Sequence, residues 1–218
     1  MIPHECQSDI PIQIAQLMER MRRHDDDLYA HSLLVGSLSL TFAAHLGFPL
    51  RDQRLLGQAA LLHDVGKLRI DRRILQKPTT LNEREWSIIR THPSLGIWIL
   101  LNEGIRNPVV LDIVGNHHER LDGTGYPAGL SARQLSEATR VVTLCDVFAA
   151  LTETRRYGKP HTRQDALERM ARKRTRLDLD LLKHFKVMIE AHCVRDSAER
   201  GKISASCYRG GEICPKAS

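Results

Sequence analysis

Apolar residues recur at helical spacing along most of the chain, and this pattern constrains the fold more than any other feature. The first such stretch covers about 10–23 and places its apolar residues on one helical face: Ile10, Ile14, Leu17, Met18 and Met21. Similar stretches follow, separated by capping residues, glycines and prolines. The pattern therefore predicts an all-α protein.

Capping signals divide this pattern into separate helices. Asp25 can cap a helix that continues to Leu46, where Gly47 stops it. Thr80 and Glu83 have the spacing of a capping box, which predicts a helix from about 81 to 91. Asn107 can cap a helix from Pro108 to His118. We expect further helices over 52–65, from Pro93, and over 138–153, 162–174 and 179–193, with a loop over 119–137.

Composition indicates one globular domain without a membrane partner. The 218 residues are 42% hydrophobic and 27% charged, which is typical of globular proteins. No apolar run approaches the ~18 residues that span a bilayer, and no secretory signal is recognisable. The five cysteines are odd in number and have no CxxC spacing, as in proteins with reduced thiols. We expect a cytoplasmic protein.

The net charge of +6 is concentrated in the segment 169–176. The simplest interpretation is a solvated helical face, and the alternative is attraction of an anionic ligand. The chain has no helix-turn-helix, zinc-finger or aromatic stacking pattern beside this charge, so we expect no nucleic-acid partner.

Two dense clusters of metal-type ligands stand out. His63 and Asp64 are adjacent and precede Gly66, and His117 and His118 precede a turn rich in glycine. Adjacent residues of a regular helix point about 100° apart, so such pairs converge only near a helix end. Imidazole and carboxylate together suit iron, manganese or zinc better than calcium, and the two oxygens of Asp64 can bridge two metals.

Asp146 supplies an argument of its own for a metal. It lies within an apolar helical stretch, beside Leu144, Val147 and Phe148. A buried carboxylate costs several kcal/mol unless it is paired or ligated. Single histidines admit simpler interpretations: His31 can be a core residue, and His92 a cation at a helix end.

Longer motifs contain these residues. They are Leu62-His-Asp-Val-Gly-Lys67, then His-His-Glu-Arg-Leu-Asp-Gly-Thr-Gly-Tyr-Pro over 117–127, then the block 140–152 around Asp146. With His31 and His92 they resemble, over about 29–182, the HD-GYP family. Members of that family are metal-dependent phosphodiesterases that hydrolyse cyclic di-GMP.

The resemblance implies a single HD-type helical bundle, which we place over 25–194, after a helical extension over 1–24. From Arg195 onward Ser, Gly, Lys and Cys dominate and apolar periodicity disappears, so we expect a flexible tail over 195–218. It leaves no room before Tyr29 for a sensory input domain within this sequence. It implies two transition metals, iron or manganese, and a third if Asp27 is a ligand and not only part of an N-terminal cap. The implied ligands are His31, His63, Asp64, His92, His117, His118 and Asp146.

The resemblance also implies a mechanism, in which a hydroxide bridging two metals attacks the phosphodiester and yields linear pGpG, GMP or both. Asp64 would orient the nucleophile, and Lys67 would contact the scissile phosphate. The implied substrate contacts are Arg120, Asp122, Gly125, Tyr126, Pro127 and Arg155, and the implied partners are cyclic di-GMP and GGDEF-type cyclases. Two alternatives stay open: an HD phosphohydrolase acting on another nucleotide, and a non-catalytic module that senses cyclic di-GMP or docks a cyclase.

Overall fold

The chain is helical in the computed structural model, which describes residues 11–153 and 159–191. Within these ranges there is no strand, only an isolated antiparallel bridge between Asp122 and Ser131. The all-α prediction is confirmed. The helices are α1 Ile12–His24, α2 Asp26–His45, α3 Leu50–Leu62, the 3-10 helix Val65–Arg69, α4 Arg72–Leu75, α5 Glu83–Ile89, α6 His92–Asn102, α7 Pro108–Asn116, α8 Glu137–Thr152, α9 Arg163–Ala171 and α10 over 179–191.

Helix α2 lies at the centre and packs against α1, α3 and α8. Gly36 lets α3 approach closely, since a Cβ there would lie 2.7 Å from the Leu61 side chain. On another side, the Phe185 ring of α10 packs edge-on against Phe42 of α2 and Phe148 of α8, with centroids 5.0 and 5.2 Å apart. One apolar core thus joins both ends of the described chain.

Helix α1 belongs to this same core. Its residues Ile14, Leu17, Met18 and Met21 are all buried, as the predicted helical face requires. The expected tail over 195–218 lies outside the described residues. Among those described, no helix has both the length and the apolar character that crossing a membrane demands.

Two predicted caps are confirmed and one capping box is wrong. The Asp25 carboxylate accepts the Leu28 N–H at 3.0 Å, and Asn107 caps α7 in the same way. The box over 80–83 is displaced by two residues: Asn82 accepts the Glu85 N–H at 2.9 Å, and Glu85 accepts the Asn82 N–H at 2.8 Å. Lys77 also binds Glu85 at 2.7 Å, which fixes this later start.

The helix predicted over 52–65 ends earlier, at Leu62, and a 3-10 helix follows. Gly66 does not stop α3 but lies within that 3-10 helix. A Cβ at Gly66 would lie 1.9 Å from the His92 carbonyl oxygen, so only glycine allows this contact with α6. The close approach brings Asp64 beside His92.

Candidate metal centre

Three buried histidines, His63, His92 and His117, present their side chains in the same way. Each directly follows a helix end or begins the next helix, and its Nδ1 lies 2.7, 2.7 and 3.0 Å from the carbonyl oxygen three residues before it. A carbonyl only accepts hydrogen bonds, so each Nδ1 carries the proton and donates it. Each Nε2 therefore points a lone pair into the interior, as a metal ligand requires.

The Asp64 carboxylate lies between two groups of histidines. Its Oδ1 is 3.2 Å from Nε2 of His92 and 3.9 Å from that of His117. Its Oδ2 is 3.3 Å from Nε2 of His63 and 3.9 Å from that of His31. The end of α3 thus places one carboxylate where its two oxygens face two separate sets of nitrogen atoms.

Asp146, from the middle of α8, has the same double position. Its Oδ1 is 3.0 Å from Nε2 of His31 and 3.9 Å from that of His63, and its Oδ2 is 4.0 Å from Nδ1 of His118. All seven ligand candidates of the sequence therefore meet in two groups, in each of which the potential ligand atoms lie within 4.8 Å of one another. The groups are Asp64, His92, His117 and His118, and His31, His63 and Asp146.

The donor set fits a cation. Nε2 of His92 lies 3.2 Å from Nε2 of His117, so two lone pairs face each other. Burial lowers the pKa of His92 to about 3 and that of His117 well below its ordinary value, which leaves both rings neutral. Nε2 of His63 and Oδ1 of Asp64 have no hydrogen-bond partner among the described residues. Each such buried group costs about 1–3 kcal/mol, which a bound metal would offset.

His31 is held by two carboxylates. Its Nε2 contacts Asp146, and its Nδ1 lies 2.8 Å from Glu153 Oε2. Burial opposes the charged ring, but these hydrogen bonds raise the pKa of His31 to about 9. Sequence reasoning missed Glu153, which directly follows the end of α8, seven residues after Asp146.

Lys67 contacts the same carboxylate that spans the two groups. Its ammonium donates a hydrogen bond to Asp64 Oδ2 at 2.6 Å. Burial opposes ionisation of Asp64, but the charge of the Lys67 ammonium holds the pKa of its carboxyl well below its usual range. The expected contact of Lys67 with a phosphate stays a prediction.

The loop after α7 folds back on the centre. The buried Glu119 carboxylate accepts the N–H groups of Ala128, Gly129 and Leu130 at 2.6, 3.0 and 3.0 Å. A Cβ at Gly125 would lie 2.4 Å from the Glu119 Cα, so the turn packs backbone against backbone. Glu119, which sequence reasoning quoted without a role, thus holds the loop.

A cavity of about 350 Å³ opens beside the cluster, with His117, His118 and Asp146 in its wall. Of the expected substrate contacts, Arg120 and Tyr126 line it, and the Tyr126 ring lies 4.7 Å from that of His118. Its other lining residues include Trp86, Arg90, Lys173 and Arg176, which sequence reasoning did not assign to the site.

Three of the other expected contacts do not line this cavity. Asp122, Gly125 and Pro127 belong to the turn but not to the cavity wall. The Asp122 carboxylate instead accepts hydrogen bonds from Thr124 and Thr175. Arg155 falls outside the described residues, and Asp27 belongs to neither ligand group, so both stay predictions.

Comparisons with known proteins indicate the family of this chain. A family model described as HD domain matches residues 10–181. A cyclic di-GMP phosphodiesterase of Pseudomonas aeruginosa is 37% identical over 166 residues, which are 76% of this chain and 40% of the relative. A 3′3′-cGAMP-specific phosphodiesterase of Vibrio cholerae is 40% identical over 129 residues, 59% of this chain and 30% of the relative. The chain thus spans less than half the length of these relatives.

Solved structures share the fold. The HD domain of the phosphodiesterase PgpH of L. monocytogenes, in complex with cyclic-di-AMP, has a TM-score of 0.63 at 16% identity and covers 81% of this chain and 95% of that one. An HDG"Y"P protein of Bdellovibrio bacteriovorus has a TM-score of 0.62 at 22% identity, with 73% and 51% covered. The family-model match, together with the motifs and relatives of HD-GYP type, leads to one conclusion: the chain belongs to the HD domain family and is of the HD-GYP type.

Proposed function

We propose that this protein is a metal-dependent phosphodiesterase that hydrolyses cyclic di-GMP. The observation that carries the proposal is the position of Asp64 and Asp146. Each of these buried carboxylates contacts both histidine groups, and the cluster borders a cavity with a basic wall. Two adjacent cation sites beside an anion-binding cavity suit phosphodiester hydrolysis.

The proposed centre holds two metals, one in each ligand group. His92, His117 and His118 would hold one, His31 and His63 would hold the other, and Asp64 and Asp146 would be available as ligands to both. We favour iron or manganese, because both accept mixed imidazole and carboxylate ligands. When bound, two such metals lower the pKa of a water and neutralise charge on the phosphate. Asp27 is the candidate ligand for a third.

The chain's own residues hold this centre in shape. The carbonyl contacts at Nδ1 orient three imidazoles before any metal arrives, which reduces the ordering cost of binding. The Lys67 ammonium donates a hydrogen bond to Asp64 Oδ2, and we propose the same ammonium as a contact for the scissile phosphate. Arg120 and Tyr126, at the cavity wall, are placed to orient the nucleotide.

The substrate class rests on the relatives and on the basic cavity. Several relatives are named cyclic di-GMP phosphodiesterases, which favours that substrate. The second candidate is 3′3′-cGAMP, because a relative specific for it is 40% identical. Linear pGpG, GMP or both are the proposed products, and the cytoplasm, where cyclic dinucleotides are signals, is the proposed compartment.

The test is turnover by protein loaded anaerobically with iron or manganese. Cyclic di-GMP, 3′3′-cGAMP and cyclic di-AMP are supplied in parallel, and the products are separated by chromatography. We expect cyclic di-GMP to be cleaved fastest and His117→Gln to abolish cleavage. His45→Gln, a histidine outside the ligand groups, is the matched control and should retain it. Tight binding of cyclic di-GMP by metal-loaded protein without cleavage would favour the non-catalytic sensing module instead.

The 123–127 turn is also the proposed contact for GGDEF-type cyclases. It lies at the surface, with Thr124 and Pro127 exposed. A pull-down with a cyclase should lose its signal with Pro127→Ala and Thr124→Arg, and an unchanged signal would refute the contact.

A further inference from the structure

Four basic side chains line the cavity wall, and they come from three separate parts of the chain. Arg90 follows α5, Arg120 lies in the loop after α7, and Lys173 and Arg176 lie between α9 and α10. The last two belong to the basic segment 169–176 that the sequence singled out. Its charge is therefore not only a solvated face, because part of it is directed to the cavity.

The basic segment is fixed in place by the loop that follows the paired histidines. The Leu121 N–H donates to the Arg176 carbonyl oxygen at 3.2 Å, and the Thr175 hydroxyl donates to Asp122 at 2.9 Å. The Arg176 guanidinium lies 3.8 Å from the same carboxylate. These contacts come from both main chain and side chains, so the position of the cations is built into the fold.

The positive charge of this wall is compensated only in part, by Asp122 beside Arg176. Among the described residues, the carboxylates in the cavity wall itself are Glu119, which binds three backbone N–H groups, and Asp146, which contacts histidines. Partial burial and the charges of Arg120 and Arg176 lower the pKa of Lys173, as expected of an ammonium crowded by like charges. A bound anion would relieve this repulsion.

We propose that Lys173 and Arg176, with Arg90 and Arg120, form a subsite for the phosphate of the dinucleotide that is not being cleaved. The inference rests on the proposed function, which places the scissile phosphate at the metals. A cyclic dinucleotide has two phosphodiesters, and a cavity that joins a metal cluster to a separate basic wall matches both at once. The subsite would favour dinucleotides over ligands with a single phosphate.

Binding of two linear nucleotides to metal-loaded protein tests the subsite without any need for turnover. Linear pGpG offers a terminal phosphate to the metals and an internal phosphodiester to the basic wall, whereas GMP offers only the first. We expect Lys173→Ala combined with Arg176→Ala to weaken the binding of pGpG roughly tenfold and to leave the affinity for GMP unchanged, both measured by calorimetry. The matched controls are Arg172→Ala and Arg174→Ala, which remove the same charge from neighbours outside the cavity wall.

Each other outcome overturns the subsite. An equal loss of affinity for pGpG and for GMP would place the cations at the metal-bound phosphate. An equal loss of pGpG affinity in the control variants would mean that only net charge matters. Unchanged pGpG affinity would remove the subsite altogether. Cyclic di-GMP hydrolysis by the unmodified protein is measured separately, so absent turnover would refute the proposed function while the binding comparison still decides the subsite.

Discussion

Glu119 is the residue whose replacement should reveal most about how the loop depends on the buried interior. Its Oε1 accepts two backbone N–H groups and its Oε2 accepts a third, while the side chain is almost fully buried. In Glu119→Gln, the remaining oxygen can keep the two bonds from Ala128 and Gly129. The new amide N–H₂ then faces the Leu130 N–H, donor against donor.

The cost follows from these contacts. One charge-assisted bond is lost, and one N–H in a partly buried place is left without a partner, which together cost about 2–4 kcal/mol. If the loop opens locally, amide exchange at 128–130 should accelerate roughly 30- to 700-fold, since 1.4 kcal/mol is about a factor of ten. Glu119→Ala removes all three bonds and should exceed this.

Hydrogen exchange followed by mass spectrometry on peptides from 119–135 measures the effect. Because Tyr126 and Arg120 lie in the same loop, KM for cyclic di-GMP should rise while metal content stays near that of the unmodified protein. Glu137→Gln, an exposed glutamate at the start of α8, is the control and should change neither quantity. Wild-type exchange rates in Glu119→Gln would refute the reasoning.

Three further predictions concern the metal centre. Asp64→Ala should abolish hydrolysis and leave circular dichroism helical, and a retained rate would place the chemistry elsewhere. Gly66→Ala puts a Cβ 1.9 Å from the His92 carbonyl oxygen and should lower both Tm and metal content, whereas Gly57→Ala, whose Cβ has 3.4 Å of space, should be tolerated. Burial opposes the charged ring of His31, but hydrogen bonds to its two carboxylates raise its pKa to about 9. A bound metal must displace that proton, so the metal affinity should rise with pH when it is titrated from pH 7 to 9. Without metal the same raised pKa stabilises the fold fully below about pH 6.5, and this contribution is lost as pH rises through 9, which urea titrations can follow. A pH-independent affinity would contradict the assigned proton.

The sequence predicted the helices well, because apolar spacing and helix caps are local patterns. The ligand set came from the longer motifs and stays a prediction, although the fold brings its seven members together in two groups. Asp25 and Asn107 act as caps through bonds to residues two or three positions on, so their types and spacing are enough. The capping box at Thr80 was wrong because Asn82 and Glu85 have the same spacing two residues later, and the ion pair between Lys77 and Glu85 favours that later start. Capping rules consider only residues three or four positions apart, so they do not include the contact between Lys77 and Glu85.

The parts that sequence reasoning missed all depend on distant partners. Glu153 meets His31 across 122 positions, and Lys173 reaches the cavity only after the chain has packed. Glu119 lies within a recognised motif, but its role appears only when the loop over 128–130 folds back onto it. Motif reading named the candidate ligands that the fold brings together and overlooked the residues that position them.

The most direct test of the central claim is the rate of cyclic di-GMP hydrolysis as metal is returned to chelated protein. We predict no cleavage without metal, and a rate that rises with added iron or manganese until about two ions are bound per chain. Metal content measured on the same samples supplies the stoichiometry. Cleavage that survives complete chelation, or none at any metal loading, would contradict the proposed centre.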